Sequence, residues 1–173
     1  MLYWTHIILT KQGENEMQRI WIYDTPMGKI SIAENGEGIT RLTYGDVFEP
    51  DRYEAGETPL IREAARQLAE YFIQKRETFD FPLALEGTDF EKKVWSALLT
   101  IPYGETRSYG DIAAQIGNPK ACRAVGRANG ANRIAIVIPC HRVIGADGTL
   151  TGYSSGLDKK KFLLRLEKIP YKD

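Results

Sequence analysis

The tripeptide Gly117-Asn118-Pro119 constrains the fold of this 173-residue chain more than any other feature. A glycine that can close one helix in the left-handed C′ conformation is followed at once by a helix-capping asparagine. A proline suited to the first helical position comes next. The helix before this break starts at Ser108, whose capping pattern with Asp111 predicts a span from Tyr109 to about Ile116. The helix after it is expected from Pro119 to about Asn129. Two short helices joined in this way make a helix-turn-helix. That geometry also occurs in proteins that never touch nucleic acid.

Signals on either side extend the reading. Thr88 and Glu91 form a capping box before Phe90, Val94, Trp95 and Leu98 at helical spacing, and Ile101-Pro102-Tyr103-Gly104 stops that helix. Ser155 with Asp158 predicts a cap for a last helix running to Lys168. Its Leu157, Lys161, Leu164 and Phe162, Leu166 pattern mixes core and surface. In the first half, β-branched runs around Ile20–Tyr23, Lys29–Ala33 and Ile39–Tyr44 are separated by Thr25-Pro26-Met27-Gly28 and Asn35-Gly36-Glu37-Gly38. These turns predict an antiparallel meander. Pro59 to Lys75 reads as a helix capped by Thr58, with Ile61, Ala65, Leu68 and Phe72 on one face. A strand is expected over Thr78–Pro82, and Leu85-Glu86-Gly87 reads as a link into the second half. The organisation expected is an extension over residues 1–17, a domain over 18–87 and a second domain over 88–173.

The formal net charge is zero, but the two halves differ. Up to Gly87 there are 9 Lys+Arg against 15 Asp+Glu, a net of −6. From Thr88 there are 14 against 8, a net of +6. Such a division fits a second half that meets a polyanion, and equally fits two solvated surfaces of different composition. Two cysteines are too few for a disulfide framework and suggest a reducing, cytoplasmic setting. With only His6 and His141 beside them, no four-ligand zinc set exists. The Leu2–Leu9 patch is short, broken by Thr5 and His6, and lacks basic residues before it. Neither a signal peptide nor a membrane span is expected.

Pro139-Cys140-His141-Arg142-Val143 carries the chemistry. A thiolate is the strongest side-chain nucleophile near neutral pH, and cationic neighbours favour it. The run Arg133–Ile138 reads as a strand ending at Cys140. Adjacent strand residues point to opposite faces, so a turn or a water would have to connect Cys140 with His141. A lone cysteine is more often a small buried hydrophobe; the charged sequel weakens that reading. Residues 120–131 combine Ala, Gly and Cys with Lys120, Arg123 and Arg127. Gly126 and Gly130 lower helix propensity, and small side chains let a helix approach another surface closely. That surface is either a neighbouring helix or nucleic acid, and exposed arginine favours the latter. Cys122 reads as structural.

Taken together, these residues resemble the O6-alkylguanine-DNA alkyltransferases, the direct-reversal DNA repair proteins. The likeness is densest from Phe90 to Glu167. It covers Val94-Trp95, Ile101 to Thr106, Ser108-Tyr109, Gly117-Asn118-Pro119, Arg123-Ala124-Val125-Gly126, Asn132, Pro139 to Val143, Gly152-Tyr153, Gly156-Leu157 and Glu167. The resemblance implies a mixed α/β (α+β) protein. A small ribonuclease-H-like domain of β-meander and helix would precede a mostly helical domain with a winged-helix-like helix-turn-helix. Its substrate would be double-stranded DNA containing O6-alkylguanine, approached from the minor groove and with the damaged nucleotide flipped out. Cys140 matches the alkyl acceptor. His141 and Glu167 match the pair that draws off the thiol proton through a water, and Asn132 matches a brace of the active-site turn. Arg123 matches the arginine that fills the vacated stack, on a helix that also presents Ala124, Gly126 and Arg127. Tyr109 matches the tyrosine that helps rotate the nucleotide and donates to the base. Val143, by its carbonyl, and Tyr153 with Ser154 match the pocket lining.

Two departures stand out. Arg133 replaces the proline usual after the equivalent of Asn132, and Ser155 occupies a position where glycine is common and a positive φ would strain serine. The implied activity is a single-turnover transfer with no cofactor, one alkyl group per chain and a monomeric protein, because nothing here would cleave a carbon–sulfur bond again. A non-catalytic DNA-binding module on the same scaffold, either a transcription regulator or a lesion sensor, and a cysteine hydrolase are the other readings. Cys140 argues against the lesion sensor, and the lack of an oxyanion device near Cys140 against the hydrolase.

Overall fold

The computed structural model describes residues 7, 8 and 17–173. The chain divides between Glu86 and Gly87 into two units. Most of the expected N-terminal extension lies outside the described residues. Ile7–Ile8 is a strand rather than loose chain.

The first unit is a six-stranded sheet with one helix. Its strands are β1 (Ile7–Ile8), β2 (Gln18–Thr25), β3 (Gly28–Glu34), β4 (Ile39–Tyr44), β5 (Tyr53–Ala55) and β6 (Leu83–Ala84), in the order β1-β6-β4-β3-β2-β5. The meander β2-β3-β4 is antiparallel, with Trp21 opposite Ile32 and Ile32 opposite Leu42. Both faces of the central strand β3 are covered, since Ile30 to Ala33 are fully buried. Two parallel additions were not anticipated: β5 pairs with β2, and β6 pairs with β4 and β1. The strand expected over Thr78–Pro82 therefore falls later, at Leu83–Ala84. Gly38 permits this joint, because a Cβ there would lie 2.8 Å from the Ala84 amide nitrogen.

Helix α1 (Pro59–Phe72) has Thr58 as N-cap, its hydroxyl accepting from the Ile61 amide. It packs on β2, β3 and β4 through Ile61, Ala64, Gln67, Leu68 and Tyr71. The buried stripe passes through Ala64 and Tyr71, while Ala65 and Phe72 are half-buried at its edge. Gln67 is accommodated in this stripe by bonding Glu63, the Asp80 carboxylate and the Asp80 amide.

The second unit begins with α2 (Asp89–Leu98), closed by the expected Thr88–Glu91 capping box. A two-residue strand β7 (Arg107–Ser108) leads into α3 (Tyr109–Gln115), closed by the Ser108–Asp111 box. Gly117 adopts φ +78° as expected. Asn118 and Pro119 then form a turn, its closing bond running from the Ala121 amide to the Asn118 carbonyl, and α4 spans Cys122–Gly130 without a side-chain cap. The second helix of the pair is thus three residues shorter at its start than expected. Val94, Trp95, Leu98, Ile112, Ala113, Val125 and Ala128 form the core among α2, α3 and α4. The Trp95 indole donates to the Ala128 carbonyl at 2.8 Å.

Arg133–Ile138 is a turn, not a strand. Its apolar character reflects burial, since Ile134 to Ile138 are all buried. The backbone curls instead: Val137 bonds back to Ala135 and Ile138 to Ile134, with Ile136 at φ +71°. A single-turn 3-10 helix, Cys140–Arg142, follows and runs into β8 (Val143–Ile144), which pairs in parallel with β7. The last helix, α5 (Leu157–Leu166), starts at Gly156 with φ +101° and no side-chain cap, so the expected Ser155–Asp158 cap is absent. Its buried stripe is Lys160, Leu163 and Leu164, continuing to Glu167, while Leu157 and Phe162 are exposed.

Candidate active site

The curled turn brings Cys140 against Asn132. The Asn132 carboxamide accepts from the Ile134 amide at 2.9 Å and donates to the Ile138 carbonyl at 2.8 Å and to Cys140 Sγ at 3.1 Å. One side chain therefore ties both ends of the turn to the sulfur. Asn129, which sequence reasoning treated only as a helix end, is buried and donates to the Cys140 carbonyl at 3.3 Å. The positive φ of Ile136 costs a β-branched residue on the order of 1–3 kcal/mol. That strain sits four residues before the thiol. Arg133 is exposed at the start of this turn. At the second departure, Ser155 takes no positive φ; Gly156 carries it.

His141 and Glu167 meet in the interior. His141 Nε2 lies 2.7 Å from Glu167 Oε1, and both side chains are inaccessible to solvent. Arg142 donates to the same carboxylate through Nε at 2.8 Å and Nη2 at 3.0 Å, and to the Ile101 carbonyl at 2.7 Å. Its guanidinium also lies over the Tyr103 ring at 5.8 Å. Burial pushes the Glu167 carboxyl up, but His141 and Arg142 outweigh it and hold the group well below the usual carboxylate range. Burial pushes the His141 imidazole below its ordinary value, against the pull of Glu167. The imidazole is therefore neutral, its Nε2 proton directed at Glu167. Nδ1, left as the basic nitrogen, has no hydrogen-bond partner among the described residues.

Burial raises the Cys140 thiol above its ordinary value, with Asn132, Tyr153 and Lys160 acting in the opposite direction. Tyr153 Oη lies 3.9 Å from the sulfur. Lys160 escaped the sequence reading. It is fully buried, donates to the Val143 carbonyl at 2.6 Å and the Thr151 carbonyl at 3.4 Å, and lies 6.0 Å from the centre of the Tyr153 ring. Burial lowers its ammonium to about 8, the Cys140 sulfur pulling the other way. A signal for it exists: Lys160 stands three and four residues before Leu163 and Leu164, on the stripe that ends at Glu167. The run Lys159-Lys160-Lys161 disguised it as a solvated face.

Asn132, Cys140 and Tyr153 thus form one hydrogen-bonded group, His141 and Glu167 a second with Arg142, and the Val143 carbonyl a third with Lys160, whereas Ser154 is exposed. Arg123 and Arg127 lie elsewhere, exposed on α4, and their guanidinium groups have no hydrogen-bond or ion-pair partner among the described residues. Ala124 is half-buried on that helix. Tyr109 opens α3, its ring against Gly126, where a Cβ would lie 3.7 Å away, and its hydroxyl 2.7 Å from Thr151 Oγ1. Cys122, expected as structural, is exposed at the start of α4.

Comparison with known proteins agrees with this arrangement. Residues 89–169 match the family described as 6-O-methylguanine DNA methyltransferase, DNA binding domain, and residues 19–85 match its ribonuclease-like domain. A methylated-DNA–protein-cysteine methyltransferase of Methanosarcina acetivorans is 54% identical over 84% of this chain and 96% of its own length. Its counterpart in Mycobacterium tuberculosis is 53% identical over 84% of this chain and 89% of its own. The crystal structure of Mycobacterium tuberculosis OGT in complex with DNA superposes with a TM-score of 0.80 at 49% identity, covering 88% of this chain and 93% of that one. With both of its units matched and its buried Cys-His-Glu cluster in place, this chain belongs to the 6-O-methylguanine DNA methyltransferase family.

Proposed function

We propose that this protein repairs DNA by moving an alkyl group irreversibly from O6 of guanine to Cys140. The observation that carries this reading is the buried Glu167–His141 pair beside a buried thiol. Glu167 on Nε2 leaves Nδ1 as the base, so a water between Nδ1 and the sulfur can pass the thiol proton to the imidazole. Glu167 then stabilises the imidazolium, and Arg142 keeps the carboxylate charged while the imidazole is neutral. The sulfur attacks the alkyl carbon, a C–S bond forms, the C–O6 bond breaks, and its electron pair stays on the base. One proton returned to the base restores guanine. Atoms balance with no cofactor, and the thioether ends the protein's activity after one transfer.

A buried thiol reaches the alkyl carbon only if the nucleotide leaves the stack. Supporting this, α4 offers Arg123 and Arg127, without partners among the described residues, beside Gly126 and Ala124. Nothing lies within 4 Å of a Cβ placed at Gly130, and only the Tyr109 ring lies near Gly126. These glycines do not serve close packing inside the unit, which favours approach of an outside surface. In this reading α3 and α4 are a winged-helix-like helix-turn-helix, Arg123 fills the vacated stack, and Tyr109 donates to the flipped base. Val143, Tyr153 and Ser154 receive that base. Residues 18–87 act as the ribonuclease-H-like domain, and residues 88–173 hold the whole reaction. All reacting side chains come from one chain, which fits a monomer, and a free thiol suits the cytoplasm.

The test is mass analysis after incubation with a duplex carrying one O6-methylguanine. The peptide containing Cys140 should gain one methyl group, and Cys140→Ala should bind the duplex without gaining mass. A wild-type protein that binds the lesion yet stays unlabelled would establish a sensor instead.

A further inference from the structure

We infer that Thr151 is a positioning residue that sets Tyr109 as a hydrogen-bond donor towards the base. The inference rests on the alkyl-transfer reading above. Tyr109 and Thr151 are 42 residues apart in sequence, on α3 and on the segment between β8 and α5, yet their hydroxyls are 2.7 Å apart. Each hydroxyl can donate or accept. If Tyr109 donates to Thr151, its proton is committed within the protein. If Thr151 donates to Tyr109, the phenolic proton is released to point outward. The phenol, now accepting a bond, is polarised into a stronger donor.

The surroundings hold this pair in place. The Tyr109 ring faces Gly126 of α4, where a Cβ would stand 3.7 Å from it. Thr151 is bound from behind, its carbonyl accepting from Lys160, which also donates to the Val143 carbonyl. The segment carrying Thr151 is therefore fastened to the strand that follows Cys140. A β-branched side chain adds stiffness at χ1, so its hydroxyl has few alternative positions. Thr151 thus holds the Tyr109 hydroxyl with its proton free to point outward. Charge develops on the departing guanine as the C–O6 bond breaks, so a better phenolic donor speeds transfer rather than tightening binding.

Single-turnover transfer from the O6-methylguanine duplex is measured for wild type, T151V, T151S, Y109F and Y109F/T151V, with duplex affinity and Tm for each. T151V keeps the shape and removes the hydroxyl; its rate should fall about tenfold, the size of one hydrogen bond to a group gaining charge. Its affinity and Tm should match wild type, and T151S should restore most of the rate. Y109F/T151V should be no slower than Y109F, because Thr151 acts only through that hydroxyl. A T151V rate equal to wild type overturns the inference. So do losses that multiply in the double variant, or a rate loss that merely follows a lowered Tm. A wild type that gains no alkyl group refutes the alkyl-transfer reading itself, a separate result.

Discussion

Glu167 serves the neutral His141 imidazole and the Arg142 guanidinium through one carboxylate, and removing its charge should be felt in both. Glu167→Gln retains size and some hydrogen bonding but can no longer balance the buried Arg142, whose bonds to it are 2.8 and 3.0 Å. Stranding a buried charge costs on the order of 3–5 kcal/mol, readable by urea unfolding. Alkyl transfer should fall by about two orders of magnitude, since the imidazole loses its preferred tautomer. Acid should act on the same residues. The folded His141 holds its proton less tightly than the ordinary imidazole at 6.5, so the unfolded chain protonates first as pH falls. Stability is therefore full above about pH 6.5 and declines below it, by up to about 1.4 kcal/mol per pH unit, with Glu167 adding to the loss below its ordinary value. Unfolding curves of His141→Gln should lack the first part of this decline; an unchanged slope between pH 6.5 and 5 would show that His141 is not held neutral.

At the level of elements, signals made of two residues at fixed spacing were the most readable. Thr88–Glu91 and Ser108–Asp111 both close capping boxes because a hydroxyl and a carboxylate three residues apart satisfy each other's backbone donors. Arg133–Ile138 reads as a strand because five buried apolar residues look alike in a strand and in a turn folded around Asn132; only hydrogen bonding distinguishes them. The strands β5, of three residues, and β6, of two, have too little sequence to announce themselves. They exist through long-range parallel pairing. Helix ends offer a clean test. Gln74 follows α1 at φ +58°, bonding back to the Tyr71 carbonyl, and Gly117 follows α3 at φ +78° with open space around a would-be Cβ. Gln74→Gly should stabilise the protein and Gly117→Ala should destabilise it, each by about 1 kcal/mol. Opposite shifts in Tm are the expected readout; shifts of the same sign would rule out backbone conformation as their cause.

Across the whole molecule, charge is divided where the fold is divided. Residues 1–87 carry a net of −6 and residues 88–173 a net of +6, and the second group holds the thiol and α4 with its exposed arginines. In the first unit the cations are largely spent on neighbours, as in the Glu63–Arg66–Glu70 set on α1 and the Arg52–Glu86 pair. Exposed pairs of this kind contribute little to stability, but they leave few free cations to displace counterions from DNA. Binding should therefore weaken as salt rises, with a slope set by the few Lys and Arg of the second unit that meet phosphate. Lys120→Ala and Arg127→Ala should each flatten a plot of log affinity against log salt by about one phosphate contact, on damaged and undamaged duplexes alike. Arg123→Ala should differ in kind, slowing transfer from the lesion more than it weakens binding to undamaged duplex, because a stacking guanidinium acts when the nucleotide leaves. Arg62→Ala, on α1 of the first unit, is the control and should leave the slope untouched. A slope that responds to Arg62 as strongly as to Arg127 would mean that the division of charge does not decide which unit meets DNA.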